Sequence, residues 1–122
     1  MINKQFPNSA GYVEAGMNKH DRKEVIDKFR NGELKIICSI NILSIGFDCN
    51  KIDCIMLQTF TNSIARMYQQ IGRGIRQSPD KQDCLIIDYS DNIGIHGKIN
   101  DFVFRKTEDG WDLYNTKRKL TD

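Results

Sequence analysis

Two short stretches of this sequence concentrate residues that could handle an anion. The first is Gln69-Gln70-Ile71-Gly72-Arg73-Gly74-Ile75-Arg76. If these residues continue a helix, Gln69, Arg73 and Arg76 fall at i, i+4 and i+7, on one face. Residues 54–79 contain Arg66, Arg73 and Arg76 but no acid, whereas Asp80, Asp83, Asp88, Asp91, Glu108 and Asp109 crowd in afterwards. Two neighbouring guanidiniums repel each other and ask for an external anion, and a polyphosphate fits their fork geometry. The plainer alternative is a solvated helix end with incidental arginines. Gly72 and Gly74 would each cost roughly 1 kcal/mol inside a helix, so they need a reason, and close backbone approach is one. The second stretch is Ser44-Ile45-Gly46-Phe47-Asp48. It follows an apolar run, and ligands of open parallel sheets bind beyond the carboxyl ends of strands. Asp48 there could accept a hydrogen bond from a ribose hydroxyl while Gly46 permits a tight turn. Asp48 could equally be a loop residue that merely caps.

These residues need elements to hold them. Residues 12–15 suggest a short strand closed by Gly16, after a polar and ragged start over residues 1–10. Asn18 is a good helix N-cap, with Asp21 in a capping-box-like position. Val25, Ile26 and Phe29 then recur at helical spacing until Asn31-Gly32 supplies a stop, which predicts an amphipathic helix over Lys19–Arg30. Residues 34–40 form a nearly continuous apolar run, as in a strand buried on both faces, and residues 52–59 and 83–88 repeat the pattern. Between the last two, Ile64, Met67, Tyr68 and Ile71 recur at i, i+3, i+4 and i+7, with Asn62 or Ser63 as cap. Strands alternating with helices imply an α/β fold, a parallel sheet with helices on both faces. Phe102-Val103-Phe104, Thr107-Glu108-Asp109-Gly110 and Trp111 to Tyr114 read as a terminal β-hairpin.

Bulk properties narrow the class. A length of 122 residues fits one domain. A net charge of +2 neither demands nor excludes nucleic acid, so local charge carries the argument. Apolar runs are strand-sized, too short to span a bilayer, and no charged-then-apolar leader opens the chain; an intracellular, cytoplasmic protein of bacterial or phage type is expected, with no membrane partner. Cys38, Cys49, Cys54 and Cys84 show no C-x-x-C spacing, so they are expected to be buried reduced thiols, with no metal site. His96 reads as a satisfied loop histidine, His20 as solvated, and Trp111 as packing its hairpin onto the domain in preference to stacking on a base.

Ser44-x-Gly46-Phe47-Asp48 followed by Gln69-x-x-Gly72-Arg73-x-x-Arg76 resembles motifs V and VI of superfamily 2 helicases. Ile87-Asp88-Tyr89-x-x-Asn92-x-x-x-His96-Gly97 resembles the sequence after motif VI in RadD-type and type III restriction-subunit-like helicases. The resemblance runs over roughly residues 12–97. It implies a RecA-like second helicase lobe over residues 11–100, lacking its first strand, with the hairpin and tail over 101–122. It implies that ATP, with Mg in a complete two-lobed enzyme, is the cofactor, and that none is held tightly by this chain. Arg76 would then be the arginine finger reaching the γ-phosphate, with Arg73 and Gln69 as further catalytic residues. Gly46, Asp48, Gly72, Arg73 and Arg76 would meet the nucleotide, and Ser39 and Ser44 a nucleic-acid phosphate. The partners implied are an N-terminal lobe carrying the P-loop, and DNA in preference to RNA. Ile45 stands where relatives often carry Glu, and Glu14 where they often carry His, which bears on the nucleic-acid contacts.

No Gly-x-x-x-x-Gly-Lys-Ser/Thr and no Asp-Glu-x-His/Asp box occurs. The chain is therefore expected to be a shortened form, a gene fragment or one half of a split enzyme of restriction type. A non-catalytic module gripping a nucleic-acid backbone is the competing reading. An unrelated nucleotide-binding α/β domain would call for a Gly-rich phosphate loop, which the sequence does not contain. Without a P-loop or metal carboxylates, nothing here grips the β-phosphate and Mg²⁺. A nucleic-acid-stimulated phosphate-release assay on the purified chain is expected to show no turnover above an Arg76→Ala control; clear turnover would overturn that expectation.

Overall fold

The computed structural model describes residues 2–40 and 49–115. They form two compact units, Met1–Lys51 and Ile52–Asp122. In the first, helix α1 (Ile2–Gln5), strand β1 (Ala10–Glu14), helix α2 (Lys19–Arg30) and strand β2 (Ile36–Ile40) follow one another. β1 and β2 pair in parallel, from Ala10 opposite Ile36 to Glu14 opposite Ile40. Parallel neighbours need a crossover, and α2 supplies it while packing on both strands.

The residues explain these elements. Asn18 caps α2 by accepting the Asp21 amide hydrogen at 2.9 Å, which satisfies one of the orphan donors of a helix start. At the other end Gly32 takes φ 80°, a left-handed turn that only glycine adopts without strain. The i,i+4 pairs Lys23–Asp27 and Lys28–Glu24 lie on the solvent side of the helix, where water and salt screen them and they add little to its stability. Two expectations need correction. The start of the chain is not ragged. Asn3 on α1 accepts the amide hydrogens of Ser9 and Ala10 at 3.1 and 2.8 Å and donates to the Ala10 carbonyl at 2.8 Å, stitching α1 to the start of β1. The strand over residues 34–40 is not buried on both faces: Cys38, Ser39 and Ile40 are exposed, and among the described residues β2 has β1 beside it and α2 against it.

The second unit contains β3 (Cys54–Leu57), α3 (Ile64–Gly72), β4 (Leu85–Asp88), α4 (Asn92–His96) and the strands β5 (Val103–Thr107) and β6 (Gly110–Tyr114). β3 and β4 pair in parallel, Cys54 opposite Leu85 to Leu57 opposite Asp88. Alternation along these strands turns Ile55, Leu57 and Ile86 to one face. That face meets Ile64, Met67 and Ile71 of α3 in the core, which Leu113 of β6 completes. The hairpin therefore belongs to the body of this unit. Its turn is Glu108-Asp109, between Thr107 and Gly110, and the Phe104 ring meets Tyr68 of α3 edge-on, with centroids 5.6 Å apart.

Trp111 departs from its expected packing. It lies on the Leu113 face of β6 but one pleat nearer the turn, beyond the core, and is 67% exposed. Of the four cysteines, Cys49 is buried and Cys54 and Cys84 partly so, but Cys38 is exposed. Among the described residues no helix is long and apolar enough to cross a membrane.

Met67 has no exposed surface, so Met67→Ala is expected to cost on the order of 2–5 kcal/mol in chemical denaturation. Trp111→Ala is expected to stay within about 0.5 kcal/mol; the reverse ranking would mean that the core has been misplaced.

Candidate anion-facing site at the end of helix α3

The segment of interest begins with the loop that feeds α3. Ser63 caps the helix, its Oγ accepting the Arg66 amide hydrogen at 3.2 Å, and Thr61 Oγ1 accepts the Ser63 amide hydrogen at 3.1 Å. This loop is held from α4. Asn92, fully buried, accepts the Thr61 amide hydrogen at 2.9 Å and donates to the Thr59 carbonyl at 3.1 Å. His96 Nε2 lies 2.6 Å from the Thr61 carbonyl; a carbonyl can only accept, so Nε2 carries the proton. The His96 ring also stacks on Phe60. His96 is thus a satisfied histidine, as expected, but it ends a helix instead of sitting in a loop.

Asp88 organises the turn between β4 and α4. Its Oδ2 accepts the Ile93 amide hydrogen at 2.7 Å, and its Oδ1 accepts from the Ser90 amide at 3.1 Å and from Asn92 Nδ2 at 3.2 Å. Burial pushes the Asp88 carboxyl up, but the hydrogen bonds from Ile93, Ser90 and Asn92 outweigh it and hold the pKa below the usual carboxylate value.

Helix α3 points its apolar stripe at the sheet and leaves Gln69 exposed on the far side. It ends at Gly72, with Arg73 as its C-cap in helical conformation. The amides of Gly74 and Ile75 still bond the Ile71 carbonyl, at 2.9 and 3.2 Å. Arg76 is therefore not on the helix. It leaves from an irregular segment just beyond it and is exposed, while Arg73 is half-buried. Both arginines are engaged in interactions within the chain. Gln69 and Arg73 keep the i,i+4 relation expected of them; the i+7 relation of Arg76 is lost because the helix stops first.

The two glycines differ in their reasons. A Cβ on Gly74 would lie 2.6 Å from both Cys84 Sγ and Ile55 Cδ1, so glycine lets the chain press onto these two side chains without displacing them. A Cβ on Gly72 would meet nothing within 4 Å, so packing does not explain that residue. Past Gly74, a shallow recess is bounded by Arg76, Gln77, Lys81, Gln82 and Asp83. Lys81 Nζ donates to the Gly74 carbonyl and, at 3.3 Å, to the Arg76 carbonyl.

Ser39 lies in the first unit, exposed near the end of β2. Ser44, Gly46 and Asp48 lie outside the described residues. Sequence reasoning missed the buried role of Asn92 and the reach of Lys81. Asp88, Asn92 and His96 fall at i, i+4 and i+8, a spacing that does signal one face of a turn-plus-helix. Nothing in the sequence around Lys81 signals its carbonyl partners.

The sequence matches the family described as the helicase conserved C-terminal domain over residues 1–78. IRC3 of Saccharomyces cerevisiae is 38% identical over 78 residues, which cover 64% of this chain and 11% of that protein. The ATP-dependent DNA helicase homolog RECG1, chloroplastic/mitochondrial, of Arabidopsis thaliana is 29% identical over 120 residues, 94% of this chain and 12% of its own length. The chain thus spans about a tenth of these relatives. Among solved structures, domain 2 of the Mss116p DEAD-box helicase bound to an RNA duplex superposes with a TM-score of 0.60 at 13% identity, covering 80% of this chain and 41% of that one. The C-terminal domain of the DEAD-box protein Dbp5 gives 0.56 at 22% identity, covering 75% of this chain and 54% of that one. At these identities the structural likeness shows the fold: a RecA-like second helicase domain, here with a C-terminal antiparallel hairpin.

The lowered pKa of Asp88 has a pH consequence. A depressed folded-state pKa contributes stability that is complete above the unfolded carboxylate value and is lost as pH falls through the folded value. Asp88→Asn is expected to lower the melting temperature at neutral pH and to flatten its decline as pH falls through and below the ordinary carboxylate range. An acid limb as steep as that of the unaltered chain would remove Asp88 from this role.

Proposed function

The chain belongs to the helicase conserved C-terminal domain family, and on that premise we propose that it works as the second motor lobe of an ATP-driven nucleic-acid motor. The observation that carries the reading is the arrangement at the end of α3. Gln69 is exposed on the helix, Arg73 sits at its cap, and Arg76 projects from a segment pressed against the sheet at Gly74.

In this reading the nucleotide and its Mg²⁺ are gripped by a P-loop on an N-terminal lobe. The present chain supplies cations from across the cleft. Phosphoryl transfer spreads charge over the equatorial oxygens of the γ-phosphate, and a guanidinium already in place stabilises that charge without reorganisation. Arg76 is the finger. Arg73, closer to the body, contacts phosphate or couples closure of the cleft to it, and Gln69 links these groups to the nucleic-acid side. Gly72, where a side chain would meet nothing, leaves the nucleotide room to approach the backbone. Asp48 and Gly46 meet the ribose, and Ser39 and Ser44 meet backbone phosphates. DNA is the proposed track; RECG1, which aligns with 94% of the chain, is named as a DNA helicase homolog.

Removing an exposed arginine usually changes stability by less than about 0.5 kcal/mol, whereas arginine fingers contribute on the order of 10³-fold or more in rate. Arg76→Ala is therefore expected to leave the melting temperature of this chain nearly unchanged. The same change is expected to abolish most ATP turnover in an enzyme reconstituted with the P-loop lobe. A collapsed fold with normal residual turnover would identify Arg76 as structural.

A further inference from the structure

Arg76 poses a mechanical problem. A group that must reach a ligand held on another lobe needs a fixed base, yet Arg76 lies three residues past the C-cap of α3, in backbone without regular structure. A misplacement of about 1 Å can cost on the order of 10²-fold in rate. The amide hydrogens of Gly74 and Ile75 are tied back to the Ile71 carbonyl, but the carbonyls beyond need other partners.

The structure assigns that task to Lys81: we propose that its ammonium is the positioning group for the arginine-finger segment. It donates to the carbonyl of Gly74 and to that of Arg76 itself, 3.3 Å away. The two carbonyls belong to the 74–75 and 76–77 peptide groups, so one cation holds the backbone on both sides of the Ile75-Arg76 pair. Lys81 is itself anchored. Its amide donates to the Ser78 carbonyl at 3.1 Å and closes the tight turn Ser78-Pro79-Asp80-Lys81, in which Pro79 restricts the backbone. Lys81 as a whole is half-buried. The segment from Gly74 to Lys81 is thereby a closed loop. One side presses on Ile55 and Cys84 through Gly74, and the other is pinned by an ammonium at two backbone carbonyls just beyond the helix. A side chain committed to two carbonyls is poorly placed to serve as a phosphate ligand, which separates the role of Lys81 from those of Arg73 and Arg76.

This inference rests on the reading of Arg76 as the finger, and the test separates the two. Lys81→Met keeps the stem and removes the ammonium; Lys81→Arg restores a donor. In this chain, amide hydrogen exchange is expected to speed up at residues 74–77 in Lys81→Met, with the rest of the second unit unchanged. In the enzyme reconstituted with the P-loop lobe, Lys81→Met is expected to lower kcat by about tenfold or more with little change in KM, and Lys81→Arg to recover part of the loss. On an Arg76→Ala background, Lys81→Met is expected to have no further effect, because a positioning residue acts only through the group that it positions. If Arg76→Ala leaves turnover intact, the finger reading fails, and the exchange measurement still decides whether Lys81 clamps the segment. Unchanged exchange at residues 74–77 in Lys81→Met overturns the clamp. Losses in kcat that add independently on the Arg76→Ala background overturn its positioning role.

Discussion

The burial of one stripe of α3 is the constraint on which the rest of the second unit depends. Ile64, Met67 and Ile71 sit against Leu57 and the apolar face of the β3–β4 pair. A helix that buries such a stripe has no freedom left to rotate, since turning it by one residue, about 100°, would carry Met67 out of the core. The same burial places Gln69 on the opposite side, toward solvent. The hydrophobic contact therefore decides where the polar chemistry is displayed, although none of the buried residues takes part in it. The antiparallel hairpin adds to this constraint, since Leu113 closes the core and Phe104 meets Tyr68 next to Gln69 in the chain.

Packing fixes rotation about the helix axis, but its ends are held by polar contacts. At the N-terminal end, Asn92 and His96 take up backbone groups of Thr59 and Thr61, and Asp88 orders the turn from which Asn92 departs. A buried polar group stabilises only when its hydrogen bonds are made. Here each donor finds an acceptor, and the result is a specific loop geometry before the helix cap. At the C-terminal end, the chain leaves the helix at Gly72, meets the Ile55 and Cys84 side chains at Gly74 and is caught by Lys81. Asp88 serves the first of these clamps, and its carboxylate oxygens are taken up by donors of its own turn.

Much of this was legible in the sequence, and the parts that were not share a cause. Helix α2 lies over Lys19–Arg30 with its Asn18 cap, and α3 begins at Ile64 behind Ser63, because caps and apolar periodicity are local signals. The parallel order of the strands and the terminal hairpin follow from pattern and turn chemistry. Three features required tertiary context. Just past the helix end, Gly74 brings the chain onto Ile55 and Cys84, residues that local sequence does not place nearby. The exposure of Trp111 depends on how far the hairpin extends past the core. Asn3 looked like part of a polar tail, yet it closes hydrogen bonds to residues six and seven positions on. The arginines at 73 and 76 were visible as a motif; that one sits at the helix cap and the other on a loop was not.

That difference between the two arginines bears on how a lobe of this kind can act. A cation at a helix cap is carried by a rigid rod and moves only when the whole lobe moves. One on a loop can adjust by small backbone rotations, which helps it settle on a ligand but leaves its position undefined beforehand. Preorganisation is what makes an electrostatic contact effective, since charge that must first be arranged loses part of its advantage to the cost of arranging it. A loop-borne arginine therefore needs restraint from outside the helix. Backbone carbonyls are suitable anchors for that restraint, because they take up the ammonium of Lys81 without engaging the guanidinium itself. An acid performing the same fixation on the arginine head group would cancel the charge that the proposed role requires. By holding the backbone on both sides of Arg76, the fold restrains the base of an exposed side chain.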